Sequence, residues 1–172
     1  MSTKNAPGPA PSLSRRAGLL ADRILEGAAA LAAFADEIST EEWGKPVTRT
    51  DRRTIGVIVD HVANMYPIEV DAARVVASGK AFEVTWDAVA GVNAKHSAER
   101  ASVTKKDAIE RLKKNSREAA DAVRAFTDDE LDTAAPFALS YGAPMTAQFV
   151  IEDHALRHAW HHLARIRTAL GR

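Results

Sequence analysis

Four of the six histidines of this 172-residue chain lie within nine residues of one another, at positions 154, 158, 161 and 162. The surrounding segment has the apolar spacing of an α-helix, on which residues four apart lie on one face. His154, His158 and His162 therefore form a column on that face. Two imidazoles in such a column can bind one transition-metal ion, as in helical H-E-x-x-H sites, although the Glu of that motif is absent here. The column indicates a metal site, and a solvated histidine-rich face is the alternative.

The apolar side of the same helix indicates which histidines reach the protein interior. At about 100° per residue, six apolar residues cluster on one side: Phe149, Leu156, Ala159, Leu163, Ile166 and Leu170. His162 lies at the edge of this stripe, His158 one step further out, and His154 further still. We therefore expect His158 and His162 to face the interior, with His154 as the alternate and His161 pointing away.

A third metal ligand is expected from another helix, because two histidines leave an ion half-coordinated. His61 flanks the apolar stripe of an earlier predicted helix, and helical bundles build metal sites from side chains on facing helices. The alternative for His61 is a hydrogen-bonded structural histidine. His96 is interpreted as a surface or supporting group. Four acidic residues are expected to be solvated helix charges: Asp60, Asp71, Glu152 and Asp153.

Apolar spacing predicts four long amphipathic helices with short connections, which is an all-α four-helix bundle. The predicted helices cover residues 13–38, 54–77, 104–127 and 146–170, with a shorter helix over 86–101. Pro67 is expected to kink or split the second of them. No segment shows sustained strand alternation. Residues 13–172 are predicted to form one domain, and the proline-rich residues 1–12 a disordered N-terminal tail.

The composition of the chain argues against several classes of partner and of catalytic site. The 23 basic and 23 acidic side chains cancel, and no basic stripe is present, so nucleic acid and anionic membrane surfaces are not expected partners. The chain has no cysteine, which excludes thiolate nucleophiles and cysteine metal sites. We found neither a secretory signal nor an apolar run long enough to span a bilayer, so a cytoplasmic location is the expectation.

Two segments resemble the histidine motifs of the DinB-like (DinB/YfiT-like) superfamily of metalloenzymes. The first is Thr54-Ile-Gly-Val-Ile-Val-Asp-His61-Val, and the second is His158-Ala-Trp-His-His162-Leu-Ala-Arg-Ile166, which matches an H-x3-H pattern. They lie about a hundred residues apart, on the second and the last long helices, and the resemblance covers nearly all of the chain after the tail. Arg165 stands where many members have glutamine.

The resemblance implies a four-helix bundle with up-down-down-up topology. It also implies a divalent metal ion (nickel, zinc, iron or manganese) held by His61, His158 and His162. Members with known activity include thiol-dependent transferases and isomerases, and homodimers are common.

These implications lead to a functional prediction. The chain is predicted to be a divalent-metal-dependent enzyme, a thiol-dependent S-transferase or a hydrolase, that acts on a small molecule. A low-molecular-weight thiol is the candidate second cofactor, and a homodimer is the expected assembly. The alternative is a non-catalytic metal-binding or structural dimeric bundle. The sequence assigns neither the substrate nor a catalytic acid or base.

Overall fold

The structure, a computed structural model, describes residues 14–172, and the predicted tail over residues 1–12 lies outside the described residues. The first part of the fold is helical: α1 (Arg15–Glu37), α2 (Thr40–Trp43), α3 (Ile55–Ala77), α4 (Trp86–Glu99), α5 (Lys105–Arg124) and α6 (Asp128–Asp132). A small hairpin follows, made of β1 (Ala134–Pro136), a 3₁₀ turn (Ala138–Ser140) and β2 (Pro144–Thr146). The last helix comprises α7 (Ala147–Val150), a π-helical turn (Ile151–Leu156) and α8 (Arg157–Ala169).

The long helices begin where the sequence supplies a hydroxyl cap. In each case a Ser or Thr side chain accepts a hydrogen bond from the backbone N–H three residues further on, which satisfies one of the free donors of the first turn. The capping residues are Ser14, Thr54, Thr85, Thr104 and Thr146. The predicted helix starts are confirmed, because the local chemistry that fixes them is visible in the sequence.

Four elements, α1, α3, α5 and the last helix, form an all-α four-helix bundle. Three side-chain contacts fix their directions: Asp22–Arg124, Asp60–Arg111 and Arg16–Gln148. The first joins the start of α1 to the end of α5, so these helices are antiparallel. The second joins the first halves of α3 and α5, and the third joins the starts of α1 and the last helix, so both pairs are parallel. The directions are up, down, down and up, which confirms the predicted topology.

The apolar stripes of the four helices meet in one core. Leu31, Ile58, Leu112 and Leu163, one from each helix, are at most 1% exposed. Among the described residues, no helix combines the length and the apolar character needed to cross a bilayer.

Pro67 does not split α3, which runs unbroken from Ile55 to Ala77. Proline lacks the N–H that would bond to the carbonyl four residues earlier. The side-chain amide of Asn115 on α5 donates to that carbonyl, at Ala63, with a length of 2.8 Å. Of the two outcomes predicted for Pro67, a kink or a split, the split is wrong, because a neighbouring helix replaces the missing hydrogen bond.

A hairpin that sequence alternation did not reveal closes one side of the bundle. Strands β1 and β2 pair in antiparallel register, and three-residue strands are too short to show a period. Phe82, in the segment before α4, makes backbone hydrogen bonds of 2.9 Å to Pro136 and Ala138, and its ring stacks on that of Phe137. These contacts attach the segment before α4 to the hairpin.

The π-helical turn changes the phase of the last helix. Its hydrogen bonds span five residues instead of four, so the turn is wider than an α-helical turn. As a result Phe149, which a regular helix would place in the core stripe, is 41% exposed. Leu156, the last residue of the turn, is buried as predicted, and so are Ala159, Leu163 and Ile166 beyond it.

Candidate metal centre

Three histidines from α3 and α8 converge beside the core. One ring nitrogen from each of His61, His158 and His162 lies within 4.8 Å of the others. Their ring centroids are 4.7–5.3 Å apart. His61 and His162 are 4% exposed, and the side chain of His158 is 15% exposed. We refer to these three residues as the histidine triad.

Burial keeps two rings of the triad neutral. Removal from water, reinforced by the nearby His158, lowers the pKa of His61 to about 3. The same two causes lower the pKa of His162 far below its usual range. Neutral imidazole is the form that ligates a metal, so both rings are in the ligating form at neutral pH.

Glu69 lies beside His158 of the triad. On α3 it is one helical turn beyond Met65, on the same face as His61. It is 5% exposed, and its Oε1 lies 2.6 Å from Nδ1 of His158. In metal sites a carboxylate in this position fixes the orientation of the imidazole, so that the other ring nitrogen faces the ion. The spacing 61, 65, 69 is the four-residue spacing that grouped the C-terminal histidines, and applied to α3 it would have identified Glu69.

The donor set fits a divalent transition metal. Imidazole nitrogens suit zinc, nickel and iron, and all three donors come from rigid helices. Three imidazoles from two helices, each with one ring nitrogen within 4.8 Å of the others, are better explained as ligands of a shared ion than as packing groups.

The other two C-terminal histidines lie outside the triad. The ring of His154 is 5.5 Å from that of Phe137, because the π-helical turn that contains His154 displaces it from the α8 column. His161 is exposed, but its ring centroid lies 5.1 Å from that of His162 and it lines the same cavity as the triad. Arg165 donates to Asp51, at 2.9 Å, and so connects α8 to the loop that precedes α3.

A buried carboxylate beside the triad was not foreseen. Asp60, expected to be solvated, is 0% exposed. Its Oδ2 lies 2.9 Å from Nε2 of His96, and it accepts hydrogen bonds from Arg100 and Arg111. Burial opposes ionisation, but the hydrogen bonds of His96 and Arg100 and the charge of Arg111 lower the pKa of Asp60 to about 2. We call these four residues the Asp60 cluster.

The cluster is the main attachment of α4. His96, the one buried residue of that helix, and Arg100, its C-cap, both bind Asp60 of α3. Of the two interpretations of His96, a surface group or a supporting group, the second is confirmed: His96 is buried and binds Asp60. At its other end α4 is held by Trp86, whose Nε1 donates to the carbonyl of Leu139 in the hairpin.

The triad lies in the wall of a cavity of about 580 Å³. Its walls come from α3, from the segment over residues 82–93, from the hairpin and from the last helix. This volume is within the range of small-molecule sites. A metal ion at the triad would therefore be open to a ligand on one side.

The buried rings predict a pH-dependent stability for the metal-free protein. The folded state keeps His61 neutral, whereas the unfolded chain binds a proton below its ordinary pKa of 6.5. Stability should therefore be full above pH 6.5 and fall as the pH decreases toward 3, by about 1.4 kcal/mol per pH unit for one histidine. Urea unfolding of chelator-treated protein at a series of pH values measures this slope. In His61→Gln the dependence of the free energy of unfolding on pH should be smaller by about 1.4 kcal/mol per pH unit, the contribution of one histidine. An unchanged slope would contradict the conclusion that the folded state keeps His61 neutral.

Comparison with known proteins bears on the fold and the family of the chain. The family model described as the DinB superfamily matches residues 23–166. In a search of solved structures, YfiT from Bacillus subtilis superposes with a TM-score of 0.71 over 96% of this chain and 93% of its own, at 15% sequence identity. That protein is described as a probable metal-dependent hydrolase with an unusual four-helix bundle topology. No curated protein matches the chain.

The structural likeness, at this level of identity, establishes the shared fold. The family model covers most of the chain and both histidine motifs that carried the resemblance. The chain therefore belongs to the DinB superfamily.

Proposed function

We propose that the protein is a divalent-metal-dependent enzyme in which His61, His158 and His162 bind the ion. The observation that carries this proposal is the position of the triad in the wall of the 580 Å³ cavity. Three protein ligands and an accessible side are the arrangement of catalytic sites, whereas structural sites are closed by a fourth ligand.

The residues that would close the site have other contacts. His154 packs against Phe137, and Glu152 accepts a hydrogen bond from Gln148, at 3.0 Å. Neither belongs to the group of facing donors. These contacts support a site that keeps a coordination position for substrate.

The chain's own residues would prepare the site for reaction. Glu69 orients His158, and burial holds His61 and His162 neutral. The ion, when bound, would supply Lewis acidity toward an oxygen or sulfur donor. The apolar walls of the cavity would exclude water and strengthen electrostatic interactions at the reacting group.

Two reaction classes are proposed, hydrolysis and transfer to a low-molecular-weight thiol. Hydrolysis is supported by the description of YfiT as a probable metal-dependent hydrolase. Thiol transfer is supported by the resemblance of the two histidine motifs to those of thiol-dependent members. Nickel, zinc, iron and manganese are the proposed ions.

Reconstitution tests the proposal and separates it from a non-catalytic bundle. Chelator-treated protein is loaded with each of the four ions in turn and assayed on a panel of esters and amides, and on electrophiles with a low-molecular-weight thiol. We expect turnover that chelation abolishes and reloading restores, and that His162→Ala lacks. Stoichiometric metal without turnover in both panels would favour the alternative, a metal-binding or structural protein.

A further inference from the structure

The cavity is long and extends away from the triad along α3. His61, Met65, Ile68, Ala72 and Val75 all line it. These residues are three or four apart and share one face of the helix. At 1.5 Å per residue, the distance from the first to the last is about 21 Å. A ligand that reaches the triad can therefore extend along the helix by several turns.

The walls away from the triad are apolar. The segment before α4, the first turns of α4 and the hairpin contribute six apolar side chains: Phe82, Val84, Trp86, Val89, Phe137 and Leu139. Three of these are aromatic, and Trp86 is 53% exposed. Large apolar side chains exposed at the mouth of a cavity are typical of ligand sites.

Each acidic side chain that lines the cavity has a basic side chain or a histidine beside it, although Oε2 of Glu69 is buried without a hydrogen-bond partner within the described residues. The pairs are Glu69–His158, Asp71–Arg74 and Asp153–Arg157, with shortest distances of 2.6, 3.0 and 2.9 Å. Asp71 and Asp153 each have an arginine partner, and a charged group beside them would have to compete with that arginine. The walls away from the triad thus favour an uncharged ligand body.

Besides ring nitrogens of the triad, two side-chain atoms of cavity residues are buried without a hydrogen-bond partner within the described residues: Oε2 of Glu69 and Oδ1 of Asn93. Asn93 lies one helical turn before His96, whose ring centroid is 5.9 Å from that of His61. A ligand with a hydrogen-bond donor close to its metal-directed end would satisfy Oδ1 of Asn93.

We propose that the cavity binds an elongated, uncharged and predominantly apolar small molecule, with its polar, reactive group at the triad and Asn93. The apolar body lies along the Met65–Val75 face of α3, between the helix and the aromatic side chains of the hairpin segment. This inference rests on the proposed function, because the polar group is the one presented to the metal centre.

A chain-length series tests the inference by binding. Metal-loaded protein is titrated with unbranched alkyl hydroxamic acids, from acetohydroxamate to decanohydroxamate, by calorimetry. Since burial of a methylene contributes about 0.8 kcal/mol, the affinity should increase about three- to fourfold per added methylene until the cavity is filled. Hydroxamates whose chains contain ether oxygens should lose this gain. Equal affinity across the alkyl series would overturn the inference.

A substitution at the far end shows where the chain lies. In Val75→Trp the indole shortens the cavity, so the gain in affinity should stop at a shorter chain, while acetohydroxamate binds as in the original protein. Val92→Trp is the matched control, because Val92 is an exposed valine of α4 that does not line the cavity. An unchanged series in Val75→Trp would overturn the placement.

Metal analysis of the same samples separates the two possible failures. Stoichiometric metal with no dependence on chain length would contradict the inference and leave the proposed function intact. Absence of bound metal would contradict the proposed function.

If no metal is bound, the series is repeated with primary alcohols, which do not chelate. A chain-length dependence that Val75→Trp shortens would support the apolar site, and a flat alcohol series would overturn it.

Discussion

Replacing His61, His158 or His162 by alanine should lower the affinity for a divalent ion by about two to three orders of magnitude. A four-ligand structural zinc site contributes about 10–16 kcal/mol, or roughly 2.5–4 kcal/mol per ligand. Each histidine of the triad contributes one of three donors, so losing any one should have a comparable effect. Competition with a chromophoric chelator measures the affinity of each variant.

The neighbouring residues provide graded controls. His154→Ala and His161→Ala remove histidines that lie outside the triad and should leave the affinity within a few-fold of the original. Glu69→Gln keeps the shape of the side chain but removes the charge beside His158, and should weaken binding about 10- to 100-fold. Equal losses in His161→Ala and His162→Ala would point to adventitious binding by a histidine-rich surface.

Replacing Asp60 by alanine should lower the free energy of unfolding by about 3–5 kcal/mol, the usual cost of breaking a buried ion pair. The carboxylate is fully buried and joins α3, α4 and α5 through His96, Arg100 and Arg111. The two arginine side chains are 31% and 36% exposed. They can therefore reach water when the carboxylate is removed, and we expect a result near the lower limit.

An exposed aspartate on the same helix provides the comparison. Asp71 pairs with Arg74, and both side chains are more than half exposed, so Asp71→Ala should change stability by less than about 1 kcal/mol. Asp60→Asn should fall between the two alanine variants, because it retains part of the hydrogen bonding. Urea unfolding measures all three. Equal values for Asp60→Ala and Asp71→Ala would show that the cluster does not stabilise the fold.

The parts of the fold governed by local chemistry were predictable from the sequence. Apolar spacing and hydroxyl caps gave the long helices, and the resemblance gave the topology that the bundle shows. The same spacing singled out His158 and His162 on α8, and the structure places both beside His61. For these residues, the position on the helix determines the direction in which the side chain points. The apolar periodicity of the sequence shows that direction.

What escaped prediction depends on contacts between distant segments. Asp60 was assigned to solvent because a lone aspartate on a helix is usually exposed, and its partners come from α4 and α5. Pro67 is accommodated by an amide of α5. The π-helical turn leaves no recognisable pattern in the sequence, yet it decides that Phe149 faces outward and that His154 leaves the column.

The residues that attach α4 to α3 are different from those with which α4 lines the cavity. Only one of its side chains, His96, is buried, whereas Val89 and Asn93 face the cavity. Substitutions at these two positions would alter the ligand site without opening a hole in the bundle core. During evolution, α4 could thus diverge while Asp60 and the triad stay unchanged. A family built on one bundle could in this way acquire different substrates by varying a single helix.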